Sequence, residues 1–244
     1  SPAEKVKFIS NWIKSYVDQM PSKAQSLVIG ISGGIDSSVS STLSAMTGLK
    51  TIALTMPIKQ KEKQHDLSLK HQQWLVKKFK NVEAYTLSLD KLFETFSSTL
   101  NQFDNEHGFA NSRARLRMTT LYQVAAANKG IVVGTGNKVE DFGVGFYTKY
   151  GDGGVDISPI ADCNKSEIWE LGKELGILKE IIDAPPTDGL WDDGRTDEGQ
   201  LGFKYSELED AMDNPNSPYR GQYEKIRNQN LHKMEPIPVC KIPS

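Results

Sequence analysis

Residues 26–38 read SLVIGISGGIDSS, a short apolar run followed by a glycine pair and several hydroxyl groups. Consecutive glycines let the backbone turn tightly, and the free N–H groups of such a loop and of a following helix start form a nest for anionic oxygens. A kinase-type phosphate loop also carries a lysine that reaches the outer phosphates. Here Ile35 and the acidic Asp36 follow the glycines instead. The loop therefore predicts a phosphate site whose positive charge comes from elsewhere.

The carboxylate of Asp36 would repel a phosphate group unless a divalent cation lay between them. Mg²⁺ meets this requirement, because it binds one or two carboxylates together with phosphate oxygens and water. We therefore expect Mg²⁺ to bind at this loop with a nucleotide. The structural alternative is a tight turn at Gly33 and Gly34, with Asp36 capping the next helix.

The flanking pattern predicts the elements that position this loop. A β-branched apolar run predicts a strand at 27–31, and further strands are predicted at 51–56, 82–87 and 131–134. Apolar residues at helical spacing predict helices at 4–20 and 67–79, and 37–45 and 111–128 are also predicted to be helical. We also expect Asp90 to cap a helix after the third strand. The alternation predicts an α/β fold with a doubly wound parallel sheet flanked by helices, in one domain spanning 1–244. Ligands bind beyond the carboxyl ends of such strands, which is where the 32–37 loop falls.

Two long segments lack periodicity. Residues 135–159 are rich in glycine, aromatic and charged residues, which predicts a functional loop. Residues 183–202 are acidic and rich in glycine and proline, and we expect this second loop to be mobile. The leading helix carries an apolar stripe that predicts core packing, with a subunit interface as the alternative: Val6, Ile9, Ile13, Val17 and Met20, flanked by Phe8, Trp12 and Tyr16.

Composition limits the partners. A formal net charge of −2 over 244 residues lacks the basic field with which proteins hold nucleic acid. Cys163 and Cys240 have no metal-type spacing, so a reduced intracellular setting is expected. No apolar run approaches the roughly 18 residues of a membrane span. We expect a cytoplasmic protein that binds neither nucleic acid nor membrane.

The motifs resemble a known family. SGGIDSS matches the S-G-G-x-D-S loop of the N-type ATP pyrophosphatases, which implies an adenine nucleotide alpha-hydrolase-like fold. NSRARLRM at 111–118, GTGNKVEDFGVGFYTKYGDGGVD at 134–156, and the stretches PIADCNK, PPTDGL, TDEGQLG and LHK resemble ammonia-dependent NAD synthetases in pattern and order. The resemblance runs from residue 26 to 233. The family pattern is altered at Thr55, where arginine is common, and at Ala110, where glycine is common.

The resemblance implies a ligase that completes NAD biosynthesis. ATP would adenylate the carboxylate of nicotinic acid adenine dinucleotide (deamido-NAD), and ammonia would then displace AMP, giving NAD, AMP and pyrophosphate. The loop begins at residue 32 with no nitrilase-like glutaminase before it in this sequence. Free ammonia is therefore the expected donor, unless a separate glutaminase docks.

The resemblance also assigns residues. Those implied to bind ATP are Gly30, Ile31, Ser32, Gly33, Gly34, Ile35, Asp36, Ser37, Thr135, Lys165 and Thr187. Those implied to bind deamido-NAD are Arg115, Lys149, Asp156, His232 and Lys233, with Phe146, Tyr147 and Tyr150 able to stack on a pyridine ring. Asp36 and Glu140 would bind Mg²⁺, and Asp36 and Lys165 would act in catalysis. The resemblance further implies a homodimer, whose interface would include part of the leading helix.

Residue types alone leave several structural interpretations of these residues open. Glu140 and Lys165 could be solvated surface residues, since isolated charges usually are. Arg113 and Arg117 share a helix face and Arg115 points away, but a solvated face explains the spacing as well as a ligand site does. Two other functions also remain: a tRNA-modifying enzyme of the same superfamily, and a nucleotide sensor without catalysis.

Overall fold

The computed structural model describes residues 1–59 and 61–244. Four parallel strands form one sheet in the order β3-β2-β1-β4: β1 (Ser26–Gly30), β2 (Thr51–Thr55), β3 (Val82–Thr86) and β4 (Gly130–Val132). The chain moves outward from β1 to β3 on one side and then returns to place β4 on the other. The order of strands therefore reverses between β1 and β4, which confirms the predicted doubly wound sheet.

Helices pack around the sheet. They are α1 (Pro2–Asp18), α2 (Ile35–Ala45), α3 (Glu62–Lys78), α4 (Asp90–Thr99), α5 (Glu106–Ala127), α6 (Lys165–Leu175), α7 (Lys179–Ile182), α8 (Asp197–Leu201), α9 (Tyr205–Asp213) and α10 (Arg220–Met234). A 3₁₀ turn occupies Asn101–Phe103, and a π-helix occupies Val139–Val144. No helix of the described residues is long and apolar enough to cross a bilayer.

The core lies on both faces of β1. Leu27 and Ile29 pack into one apolar cluster, and Val28 packs into another on the opposite face. Successive side chains of a strand point to opposite faces, so a strand buried on both faces must be apolar throughout. The predicted stripe of α1 is part of the first cluster, where Ile13 is fully buried. Its neighbours Phe8, Trp12 and Tyr16 remain exposed.

Two details differ from the sequence-based expectation. Asp90 does not cap α4; Leu89 is the cap residue, and the Asp90 carboxylate instead accepts the Lys59 backbone N–H at 2.7 Å. The 135–159 segment is not irregular throughout, because its centre forms the π-helix. Such wide turns are rare and occur frequently at functional sites.

Candidate active site

A cleft of about 370 Å³ lies beyond the carboxyl ends of β1 and β4. Its walls come from the loop after β1, the π-helix, α5, α6, the 186–200 segment and α10. Residues predicted to bind ATP or metal that line it are Gly30, Ile31, Ser32, Gly34, Ile35, Asp36, Ser37, Thr135, Glu140, Lys165 and Thr187. Gly33 does not line it. The strand order therefore brings together residues that are far apart in sequence.

Gly33 makes the tight turn of the loop. Its φ of +89° lies in the left-handed region, and a Cβ there would come within 2.6 Å of the Gln64 carbonyl on α3. The Ser32 N–H donates to the Ser37 hydroxyl at 3.0 Å, which holds the loop on α2. Because the first N–H groups of any helix lack intrahelical partners, the start of α2 at Ile35 gives this loop anion-binding capacity.

Lys165 supplies the cation that the loop lacks. Its Nζ donates to Asp36 at 2.7 Å across 129 residues of sequence, and the residue is only 1% exposed. Burial lowers the pKa of Lys165, but Asp36 and Glu140 together act more strongly and raise it above its usual value. The solvated reading of this lysine is therefore wrong. α6 starts at Lys165 after an Asn164–Glu167 capping box, which fixes the side chain's origin.

Asn137 links the two predicted metal ligands. Its fully buried amide lies 3.4 Å from both carboxylate oxygens of Asp36 and 2.5 Å from Oε2 of Glu140. Burial raises the pKa of Glu140 well above its ordinary value; Lys165 opposes this shift and Asp36 adds to it. The two carboxylates therefore converge where further positive charge would be favourable. The residue types fit Mg²⁺, which needs only one or two carboxylates beside phosphates and water.

Tyr205 and Asp197 complete this acidic cluster. The Tyr205 hydroxyl lies 3.1 Å from Oε1 of Glu140 and 3.2 Å from Oδ2 of Asp197. Burial raises the pKa of Asp197 to about 7, although Lys165 opposes the shift. Sequence reasoning gave no role to Asn137, Asp197 or Tyr205. Asn137 and Asp197 do lie within the quoted motifs, but Tyr205 had no signal, because a single tyrosine after a loop resembles a core residue.

The residues predicted to bind deamido-NAD lie mostly outside the cleft. Arg115 is exposed and its Nε donates to the Lys149 carbonyl at 3.0 Å. The Nζ of Lys149 lies 3.2 Å from Nδ1 of the exposed His232. These three side chains form one group beside the cleft. Asp156 is separate: its two oxygens accept from the Tyr122 hydroxyl at 3.0 Å and the Val132 N–H at 2.8 Å.

Lys233 does line the cleft, on α10. Its Nζ donates to the carbonyls of Gly145 and Tyr147, at 2.9 and 2.7 Å. Burial lowers the pKa of Lys233, with Asp152 opposing. In this arrangement the Lys233 side chain holds the segment that follows the π-helix. The π-helix itself carries Glu140.

The arginine face of α5 is buried rather than solvated. Arg113 donates to the Asp192 carboxylate at 2.7 Å. Arg117 lines the cleft and donates to the carbonyls of Met56 and Gly189, at 3.0 and 3.2 Å, while its buried Nη2 has no hydrogen-bond partner. Burial, with Arg113 adding to it, lowers the pKa of Arg117 to about 10. Its unpaired nitrogen could bind an anionic group.

The predicted ATP residue Thr187 is held by its own loop. Its hydroxyl donates to the Arg195 carbonyl at 3.0 Å and accepts the Gly189 N–H at 3.3 Å. The backbone N–H of Asp197 donates to the Pro186 carbonyl at 2.8 Å, next to Thr187. The 183–202 segment therefore has internal hydrogen bonds and contains α8.

The sheet is parallel with a reversed strand order, and its first strand leads into the S-G-G-x-D-S loop. This loop borders a cleft that holds paired acids and a buried lysine. Together these features define the class of N-type ATP pyrophosphatases. The profile of the NAD synthase family matches residues 5–239. The chain belongs to this family.

Individual relatives agree with this assignment. The chain is 36% identical over 212 residues to the NH(3)-dependent NAD(+) synthetase of Carboxydothermus hydrogenoformans, covering 84% of this chain and 83% of that protein. A solved NMN synthetase from Francisella tularensis superposes with a TM-score of 0.91 at 35% identity, covering 99% of both chains. An NH3-dependent NAD synthetase from Campylobacter jejuni gives 0.78 at 25% identity, covering 99% of this chain and all of that one.

Proposed function

We propose that this protein amidates deamido-NAD with ammonia, at the cost of ATP, to give NAD, AMP and pyrophosphate. One observation supports this most: in a chain of the NAD synthase family, Asp36, Glu140 and the buried Lys165 converge at the end of the phosphate loop. A nucleotide sensor without catalysis has less need of a fully buried lysine beside paired acids.

The chemistry follows from the poor electrophilicity of a carboxylate. A carboxylate oxygen of the substrate attacks the α-phosphorus of ATP, and the bond to pyrophosphate breaks. Ammonia then attacks the activated carbonyl carbon, the bond to AMP breaks, and the surplus proton leaves the nitrogen. In this proposal the Lys165 ammonium stabilises the charge that builds on the α-phosphate, and the loop amides hold the other phosphate oxygens.

Asp36 and Glu140 are the proposed ligands of Mg²⁺, held by Asn137. The ion would neutralise charge on the phosphates as pyrophosphate departs. We keep the ATP roles of Thr135 and Thr187 from the family resemblance, because both line the cleft.

Arg115, Lys149, His232 and Asp156 are the proposed contacts of the pyridine nucleotide, together with Lys233. Because the first three lie beside the cleft and Arg115 and His232 are exposed, a second subunit could complete this part of the site. This supports the proposed homodimer. We also propose a cytoplasmic location, as the two widely spaced cysteines suggest.

A second candidate substrate is favoured by one observation. The Francisella tularensis protein, which superposes more closely than the Campylobacter jejuni NAD synthetase, is named an NMN synthetase. If this chain made NMN by the same amidation chemistry, its substrate would be the corresponding acid, nicotinic acid mononucleotide. The reacting carboxylate and the ATP chemistry would be the same, and the substrates would differ only by the adenylate half.

The test mixes purified protein with Mg²⁺, ATP, ammonium and either acid, and follows NAD, NMN, AMP and pyrophosphate by chromatography. The proposal expects equal amounts of NAD, AMP and pyrophosphate over many turnovers, and without ammonium no NAD and at most about one pyrophosphate per active site. A higher kcat/KM for the mononucleotide would establish the second candidate instead. If the folded protein binds ATP but forms neither amide, both are wrong, and tRNA modification is the next activity to test.

A further inference from the structure

We propose that Tyr205 is a positioning residue for Glu140, fixing this carboxylate opposite Asp36 so that the pair can bind the metal–nucleotide complex. The inference rests on the proposed function, since it takes Glu140 as a metal ligand. Tyr205 belongs to α9, 65 residues after Glu140, and no sequence motif points to it.

Three hydrogen bonds hold the N–H group and the carboxylate of Glu140. Its backbone N–H donates to Oδ1 of Asn137 at 3.1 Å, and its Oε2 accepts from the amide of the same asparagine. Its remaining oxygen, Oε1, accepts from the Tyr205 hydroxyl at 3.1 Å. Asn137 is only three residues away and fixes one end of the carboxylate. Tyr205 alone reaches the other end among the hydrogen bonds of the described residues, and it therefore sets the rotation of the carboxylate.

The ring of Tyr205 is rigid enough for this task. The residue is 3% exposed and packs in an apolar cluster with Val139 and Val144 of the π-helix. The rings of Trp169 and Tyr205 pack edge to face with their centroids 6.5 Å apart. Nζ of Lys165 lies 4.9 Å from the centroid of the Tyr205 ring. Tyr205 thus contacts both the element that carries Glu140 and the lysine that pairs with Asp36. Buried groups that orient metal ligands in this way commonly tune metal affinity.

The hydroxyl also ties the metal site to the 183–202 segment. Its single proton is shared with Asp197, whose Oδ2 lies 3.2 Å from the same hydroxyl; Asp197 starts α8 and is 4% exposed. A merely structural role for Tyr205 would be to satisfy this buried acid. That reading predicts lost stability without a change in metal binding, so the two roles can be separated.

Tyr223 on α10 offers a matched control. It is 4% exposed and belongs to the same apolar cluster as Tyr205, so Tyr→Phe at either position removes one hydroxyl from one core. Neither tyrosine lines the cleft, but among the described residues only the Tyr205 hydroxyl is hydrogen-bonded to Oε1 of Glu140.

The probe is Mn²⁺, titrated into full-length protein with a non-hydrolysable ATP analogue and followed by electron paramagnetic resonance. Tyr205→Phe should weaken Mn²⁺ binding by about tenfold or more, the usual effect of losing such a partner. The Mg²⁺ concentration that gives half-maximal amide formation should rise by a similar factor. Tyr223→Phe should leave both values unchanged, with the urea midpoints of both variants reported beside them.

A second background tests whether Tyr205 acts through Glu140. In Glu140→Gln protein, adding Tyr205→Phe should weaken Mn²⁺ binding no further, because the shared interaction is already lost. Additive losses, parental affinity in Tyr205→Phe, or equal losses in the two tyrosine variants would each overturn the proposal. Wild-type protein that binds Mn²⁺ but forms no amide would refute only the proposed function. Wild-type protein that binds no metal would refute the role of Glu140 and the positioning role with it.

Discussion

The phosphate loop has no lysine of its own, but in the folded protein Nζ of Lys165 lies 2.7 Å from Oδ2 of Asp36. The loop sequence could predict a phosphate site and a need for cations. It could not predict which lysine would arrive, because that depends on how α6 packs beside α2. The same limit applies to Tyr205, whose position follows from the packing of α9 on the π-helix.

Asp36→Ala should lose most of the Mg²⁺-dependent turnover while the protein remains folded. The variant loses a proposed metal ligand, but Glu140 and Asp197 stay near Lys165 and continue to compensate its charge. Circular dichroism and amide formation over a Mg²⁺ titration would check this expectation. Near-parental activity with unchanged Mg²⁺ dependence would remove Asp36 from the mechanism.

Lys165→Met should destabilise the protein, and more so at high pH. The change leaves Asp36, Glu140 and Asp197 without their buried cation, which costs about 3 kcal/mol where such charges lose a partner. The pKa values of Glu140 and Asp197 are already raised, and the loss of Lys165 raises them further. The native state then binds more protons than the unfolded state, so the free energy of unfolding falls as pH rises above about 4.

Urea unfolding at pH 5 and pH 8 measures this effect, with wild type and Lys179→Met for comparison. Lys179 is exposed and pairs with Asp183 four residues along α7, so its loss should change stability little. A Lys165→Met variant as stable as wild type at pH 8 would contradict the stabilising role of Lys165 among these acids.

At the scale of elements, the strands were predictable to within two residues. β1, β2 and β4 are short and largely buried, whereas β3, with the sequence VEAYT, is mostly exposed. The start of α5 was missed by five residues, since Asn105 caps the helix ahead of any apolar periodicity. The π-helix was missed because its residues, VEDFGV, have neither helical nor strand spacing. Glu140 was expected just after the fourth strand, and it lies in the π-helix that follows β4. Its metal role comes from the family resemblance and stays a prediction.

The junction of β1, its loop and α3 predicts a difference between two neighbouring glycines. Gly33→Ala places a Cβ within 2.6 Å of the Gln64 carbonyl in a left-handed conformation, which costs at least about 1 kcal/mol before any clash. Gly34 has a φ of −88°, and the atom nearest to its added Cβ is a serine hydroxyl at 3.4 Å. Gly34→Ala should therefore keep near-parental stability in urea, while Gly33→Ala should not. Equal midpoints would contradict the packing of α3 on the loop.

At the scale of the whole molecule, the cleft and the residues proposed to bind ATP lie within one chain, whereas the exposed Arg115 and His232 lie beside it. The aromatic side chains of α1, Phe8, Trp12 and Tyr16, also remain uncovered. Helical spacing set these aromatics beside the stripe of α1, but it could not show that they stay exposed, because all of these residues are apolar. The separation needs the positions of α2 and α6, against which only one face of α1 packs.

The proposed homodimer gives a prediction at this scale. Sedimentation at micromolar concentration should give twice the chain mass of 27.1 kDa, and a monomer there would contradict it. If the partner subunit completes the pyridine-nucleotide side, dilution below the dimer dissociation constant should lower amide formation per chain. Binding of an ATP analogue should persist on dilution, because Asp36, Lys165 and the phosphate loop belong to one subunit. Parallel losses of both would instead mean that the dimer is needed for the fold of the whole cleft.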